Sequence, residues 1–122
     1  MGVLLDTHVL LWAVLNDPRL SDAQARAITE SDVYLSAASV WEIGIKRALG
    51  KLDVPEDLFD VAANAGCRPL AITWVHAMAA SALPRHHSDP FDRMLIAQAR
   101  CEGVRLASSD TKLAAYDIDL VG

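Results

Sequence analysis

Short apolar runs alternating with pairs of helical segments constrain this 122-residue chain more than any other feature. Val3-Leu4-Leu5, Val33-Tyr34-Leu35, Leu70-Ala71-Ile72 and Val104-Arg105-Leu106-Ala107 read as strands, and Ile118-Asp119-Leu120 as a fifth. They are short and mainly apolar rather than alternating, which suits a sheet buried on both faces. Helix punctuation fills the gaps between them. Asp6-Thr7 caps a helix over 8–15, and Ser21 with Gln24 forms a capping box for 22–31. Ser36 caps a helix to Leu49, with Gly50 after it, and Trp41, Ile45 and Leu49 at i, i+4, i+8 read as its buried stripe. Pro55 opens a fourth helix and Gly66 closes it. Thr73 caps 74–82, Asp89-Pro90 starts a long helix to Cys101 with Gly103 beyond, and a short helix follows Asp110. The expected fold is an α/β domain of three layers, α/β/α, around a short parallel sheet of four or five strands with right-handed crossovers.

Composition narrows the class. One domain across residues 1–122 is expected from the length. With 52% hydrophobic and 22% charged residues the chain is built to fold. No apolar stretch reaches the length of a membrane span, and no basic, apolar, small-residue leader opens the chain, so a cytoplasmic protein is expected. Cys67 and Cys101 lack metal-ligand spacing and read as free, buried thiols. A net charge of −5 argues against field-driven binding of nucleic acid, though not against a nucleic-acid enzyme whose acids surround a metal.

In open parallel sheets ligands sit beyond the carboxyl ends of the strands. Asp6 follows the first strand and Asp110 lies just past the fourth. Asp92 is in the first turn of the long helix, and Glu42 lies two turns into the helix after the second strand. If the first and fourth strands are neighbours, Asp6 and Asp110 share a cleft that Asp92 and Glu42 can reach. Clustered carboxylates repel, and a hard cation relieves that repulsion, which points to Mg²⁺ or Mn²⁺ rather than a softer metal. Sixteen acids less these four leaves 12 against 11 basic residues, so most of the net charge belongs to the candidate site. Each acid also has a plain local reading. Asp6 and Asp110 can cap helices, and Asp89 is the N-cap before Pro90, which puts Asp92 at N3 near the helix dipole. Glu42 can pair with Lys46 at i, i+4. Capping does not explain Glu42, well inside its helix.

Four segments then carry a resemblance: Leu4-Leu5-Asp6-Thr7-His8, Ser39 to Lys46, His87 to Ala99 with Asp89-Pro90-Phe91-Asp92-Arg93 at its heart, and Ser108-Ser109-Asp110. In this order, over essentially the whole chain, they resemble the PIN domain, and in particular the VapC-type toxins of bacterial toxin–antitoxin pairs. The resemblance implies a metal-dependent endoribonuclease whose acids map onto Asp6, Glu42, Asp92 and Asp110, leaving a 5′-phosphate and a 3′-hydroxyl. Asp6, Asp92 and Asp110 are then the candidate ligands for Mg²⁺, with Mn²⁺ as substitute, and Glu42 the residue that orients or deprotonates a metal-activated water. Ser108, where the family more often has threonine, together with Thr7, Asp89, Lys46 and Arg93, are candidates to support the ligands or touch substrate. His8 is a further candidate to support them.

Lys46, Arg47, Lys51, Arg85, His86, His87, Arg93 and Lys112 flank the motifs as candidate phosphate contacts. Arg93 is the strongest of them for a functional role, and His86-His87 is expected in an exposed loop. Trp12, Trp41 and Trp74 are expected in the core. The resemblance also implies RNA as substrate, a cognate antitoxin, a homodimer and larger toxin–antitoxin assemblies. The apolar faces of the first helices, with Val9, Leu10, Trp12 and Ala13, and Ala23, Ala27 and Ile28, are candidate groove and dimer surfaces unless the core claims them. A phosphoaspartate receiver wants an acidic pair after the first strand, and a haloacid-dehalogenase-like phosphatase wants a second aspartate where His8 stands. The remaining alternative is a catalytically silent interaction module on the same fold. Loss of an acid is its usual mark, and none is lost.

Overall fold

The computed structural model describes residues 1–122. Five parallel strands, β1 (Gly2–Leu5), β2 (Asp32–Ser36), β3 (Arg68–Leu70), β4 (Arg105–Ala107) and β5 (Leu120–Val121), lie in the order β3-β2-β1-β4-β5. Between them run α1 (Thr7–Val14), α2 (Asp22–Glu30), α3 (Ala37–Ala48), α4 (Leu58–Asn64), α5 (Trp74–Ala82) and α6 (Pro90–Glu102), with a 3₁₀ turn at Thr111–Ala115 before β5. The expected architecture is present. Strands one and four are neighbours, with Leu4 opposite Tyr34 on one side and Leu106 on the other.

Period two in the strands divides the core. Val3, Leu5, Val33, Leu35 and Ala107 face α1, α2 and α4. Leu4 and Leu106 face the opposite way, onto Ala80 and Leu83 from the α5 end and Leu95, Ile96 and Ala99 of α6. The caps form as their sequences dictate. Ser21 and Gln24 make a reciprocal box, Ser36 accepts from the Ala38 N–H, and Asp89 accepts from both Phe91 and Asp92 N–H. Gly103 ends α6 at φ 65°, a left-handed turn that suits glycine.

Several expectations are corrected. The third strand sits at 68–70 rather than 70–72, and the fifth at 120–121 rather than 118–120. The fourth helix begins at Leu58, because Pro55 instead starts a turn whose carbonyl accepts from Leu58 N–H. The Trp41, Ile45 and Leu49 stripe faces outward. Trp41 is 65% exposed, while Ala38, Ser39, Glu42 and Ile43 form the inner face of α3. Trp74 is 88% exposed, and only Trp12 packs against the core. Cys101 is exposed and Cys67 only half-buried. Val9, Leu10 and Ala27 belong to the core, which removes them from any docking surface.

Candidate active site

The central position of β1 places the acids. Its carboxyl end meets that of β4, where Asp6 N–H donates to the Ala107 carbonyl at 3.0 Å. Asp6 is buried and caps α1, accepting from Val9 N–H at 2.7 Å. Burial pushes its carboxyl above the usual aspartate range, and the neighbouring Glu42 adds to the rise. A hydrogen bond from the Ser108 side chain opposes it. The same Ser108 hydroxyl accepts from Asp110 N–H at 3.1 Å, so one buried serine ties the ends of β1 and β4 together. That gives the expected hydroxyl before the last acid a definite part.

Glu42 comes from the inner face of α3 and is buried. Thr7 Oγ1 donates to its Oε1 at 2.6 Å, and Lys46 Nζ lies 2.9 Å from its Oε2. The local i, i+4 pair therefore exists, and it fixes the acid's orientation rather than replacing its place in the cleft. Asp92 projects from the first turn of α6. Burial raises its carboxyl too, with Asp89 and Asp6 adding repulsion. Asp110 caps the 3₁₀ turn through Lys112 N–H and stays partly open to solvent. Asp89 is a cap, its Oδ1 occupied by two backbone N–H groups.

Two of the flanking residues stand elsewhere than expected. The Arg93 guanidinium faces away from the acids and donates to four backbone carbonyls, of Ala80 and Leu83 at 2.9 Å, Pro84 at 3.0 Å and His87 at 3.2 Å. It clamps the end of α5 to the loop before α6 and is not free for phosphate. His87 is the residue the sequence reading under-rated. It is not an exposed loop residue. Its Nε2 lies 2.7 Å from Asp92 Oδ2 and 3.5 Å from Asp110 Oδ2, with its side chain 12% exposed. One ligand atom from each of His87, Asp92 and Asp110 fits within a 4.8 Å span. The double histidine beside Asp-Pro was the available signal, but the fold of the 84–88 loop, which no spacing encodes, decides where it points. His8 is exposed at the rim, close enough to Asp6 to favour its charged form. His76, by contrast, is buried far from the acids, its ring between Thr73 N–H and Glu102.

Beside the acids opens a groove of about 720 Å³ lined by Arg85, His86, His87, Arg93 and Lys112 among others. Arg85 and Lys112 thus bring positive charge beside the acidic cluster. Trp41, edge-on to Phe91 with ring centroids 5.4 Å apart, stands exposed where α3 meets α6. The acidic cluster with its imidazole is an oxygen-rich set suited to a divalent cation.

Known proteins resemble this chain in sequence and in fold. The PIN domain family matches residues 3–119. Ribonuclease VapC22 of Mycobacterium tuberculosis is 32% identical over 123 aligned residues, covering 93% of this chain and 91% of that protein. Among solved structures, VapBC2 from Rickettsia felis bound to a promoter DNA fragment superposes with a TM-score of 0.73 at 13% identity, covering 98% of this chain and 97% of that one. A toxin–antitoxin complex from Klebsiella pneumoniae gives 0.69 at 18% identity, covering 98% and 96%. The two structures share the fold, while the family match and the VapC22 relationship each span most of the chain. On those grounds the chain belongs to the PIN-domain family and is of the VapC type.

Proposed function

We propose that this protein, one PIN domain across residues 1–122, is the ribonuclease toxin of a toxin–antitoxin pair. The observation that carries the reading is the meeting of Asp6, Glu42, Asp92 and Asp110 at the carboxyl edge of a parallel sheet, with no acid of the set replaced. That retention favours a working nuclease over a silent interaction module. Asp6, Asp92 and Asp110 are the residues to hold Mg²⁺, or Mn²⁺ in its place. The raised carboxyls of Asp6 and Asp92 fit this, since crowded, desolvated acids are what a cation relieves. Such an ion supplies charge neutralisation at the scissile phosphate and a more acidic water.

The chain's own side chains do the rest. Glu42, held by Thr7 and Lys46, orients the attacking water and accepts its proton. Ser108 keeps Asp6 and Asp110 in register. Arg85, His86 and Lys112 along the groove receive RNA phosphates, and the exposed Trp41 offers a face for a base. A cognate antitoxin belongs to the same reading, and the VapBC and toxin–antitoxin complexes among the structural neighbours support it. It covers an apolar groove with a helix or extended tail and brings a basic side chain to the acids. The exposed apolar side chains of α3 and α5 suit a homodimer or a larger toxin–antitoxin assembly. A cytoplasmic location goes with this reading of a VapC-type toxin; no helix is long and apolar enough to cross a membrane.

The test is RNA cleavage by antitoxin-free protein with Mg²⁺, with Mn²⁺ and with EDTA, beside Asp6→Asn and Asp92→Asn. Metal-dependent cleavage lost in both variants is the expected result. Cleavage that survives EDTA and both substitutions, or a protein that neither cleaves nor binds metal, overturns the reading.

A further inference from the structure

The imidazole of His87 reaches into the acid cluster from a loop held on purpose-built supports. The backbone N–H of His87 donates to Tyr116 Oη at 2.9 Å, and the Tyr116 hydroxyl donates to the Pro84 carbonyl at 2.9 Å. The His87 carbonyl accepts from Arg93. Tyr116 and Arg93 lie outside the cluster, on the 3₁₀ side and on α6, so the loop is pinned from two directions. What they fix is the ring, with Nε2 aimed at the facing oxygens of Asp92 and Asp110. A solvent-facing phosphate contact needs no such anchoring, and although His87 borders the groove its Nε2 meets two carboxylates.

The separations suit a shared ion. Ligands at right angles around an ion with bonds of about 2.1 Å sit about 3 Å apart. The Nε2 distances of 2.7 and 3.5 Å bracket that value. Donor chemistry then sets the preference. Two carboxylates alone suit Mg²⁺ and Mn²⁺, whereas an added imidazole nitrogen raises affinity for transition ions and gives Mg²⁺ little.

We propose that His87, through Nε2, is a direct ligand of the divalent ion held by Asp92 and Asp110, making a nitrogen-containing site that prefers Mn²⁺ and Co²⁺ over Mg²⁺. The proposal rests on the reading that these aspartates bind metal. It assigns the site a nitrogen ligand beyond the four acids. Direct ligation takes the neutral imidazole with its one N–H on Nδ1, which leaves the Nε2 lone pair for the ion.

The experiment is pulsed electron paramagnetic resonance of Mn²⁺ bound to the full chain, read for coupling to a directly ligated ¹⁴N. Calorimetric titrations with Mn²⁺, Co²⁺ and Mg²⁺ accompany it. The proteins are the natural chain, His87→Gln, His8→Gln and Asp92→Asn. His87 makes its loop contacts through its backbone, so glutamine leaves those supports in place. The ¹⁴N coupling is expected in the natural chain and in His8→Gln and absent in His87→Gln. His87→Gln is expected to lose about 10- to 100-fold in Co²⁺ and Mn²⁺ affinity, and less than about threefold for Mg²⁺ on the donor preference above. Absence of ¹⁴N coupling in the natural chain, its persistence in His87→Gln, or tighter metal binding by that variant overturns the proposal. If Asp92→Asn abolishes binding while His87→Gln does not change it, the metal site stands and His87 is not its ligand. If the natural chain binds no divalent ion, both readings fall.

Discussion

Replacing Arg93 by alanine is expected to cost stability rather than RNA affinity. The side chain donates to four carbonyls between Ala80 and His87, all at 3.2 Å or less. Hydrogen bonds from a charged donor contribute about 1.5–3 kcal/mol each. Simple addition overshoots, because the Pro84 carbonyl is exposed and water can replace the arginine there, and because the Ala80 carbonyl also accepts from Leu83 N–H. Counting the Leu83 and His87 contacts as the ones that water replaces poorly gives about 3 kcal/mol. That is a large share of a typical total of about 5–15 kcal/mol. Lysine keeps the charge but not the planar fork, and should recover only part of the loss. Urea unfolding of the metal-free proteins measures the effect. Fluorescence anisotropy with RNA in EDTA, across a range of salt, measures the alternative. A lost phosphate contact would flatten the dependence of log affinity on log salt by about 0.7 on a single strand. If Arg93→Ala unfolds within about 0.5 kcal/mol of the natural chain, the scale of an inconsequential surface change, and its salt dependence flattens, the clamp is wrong and Arg93 is a phosphate ligand after all.

Further expectations follow from the same geometry. Asp6 is raised above its ordinary value of 3.8 by burial, so its protonated form favours the folded state. That contribution is complete below 3.8 and is lost as pH climbs through the folded-state value. Metal-free protein should therefore lose stability with rising pH in that range, Asp6→Asn should flatten the loss, and Mg²⁺ should reverse it. Equal pH dependence in the variant would refute the assignment, and thermal melts across pH decide it. Thr7→Val keeps the shape but removes the 2.6 Å donor to Glu42. A loss of about 1.5–3 kcal/mol is expected in denaturant unfolding, with a fall in RNA cleavage rate. A variant equal to the natural chain in both would mean that Thr7 does not hold Glu42. Trp74→Ser, at a side chain 88% exposed, should unfold within about 0.5 kcal/mol of the natural chain when dilute. A deficit that appears only as protein concentration rises would mean that another copy buries the indole.

The sheet was legible because short apolar runs have few places to go in a chain whose caps are this explicit. Ser21-Gln24, Thr73 and Asp89-Pro90 each settle one helix start by local hydrogen bonding alone. The acids were legible for the same reason, since Asp6 and Asp110 terminate strands that β-sheet topology then brings side by side. What spacing does not carry is which side of a helix faces in. The period of Trp41, Ile45 and Leu49 marks an apolar face correctly, yet α3 turns Ser39 and Glu42 inward because Thr7 and Lys46 satisfy them there. Arg93 and His87 were misplaced together. Both depend on the path of residues 84–88, and that path is set by contacts with Tyr116 and α6 that lie far off in sequence.

The order of the strands has a consequence for when the protein can act. β1 lies in the middle of the sheet, yet one of its two partners, β4, follows it in the chain only after two other strands and six helices. Asp6 gains its backbone bond to Ala107 and its Ser108 contact only when that late strand docks. On the ribosome Asp6 and Glu42 thus emerge before the helix and strand that complete the cleft with Asp92 and Asp110. Non-local pairing of this kind is also slow to form. The cleft is complete only once β4 has docked, so the interval before docking is one in which the proposed partner can meet a chain that cannot yet cut.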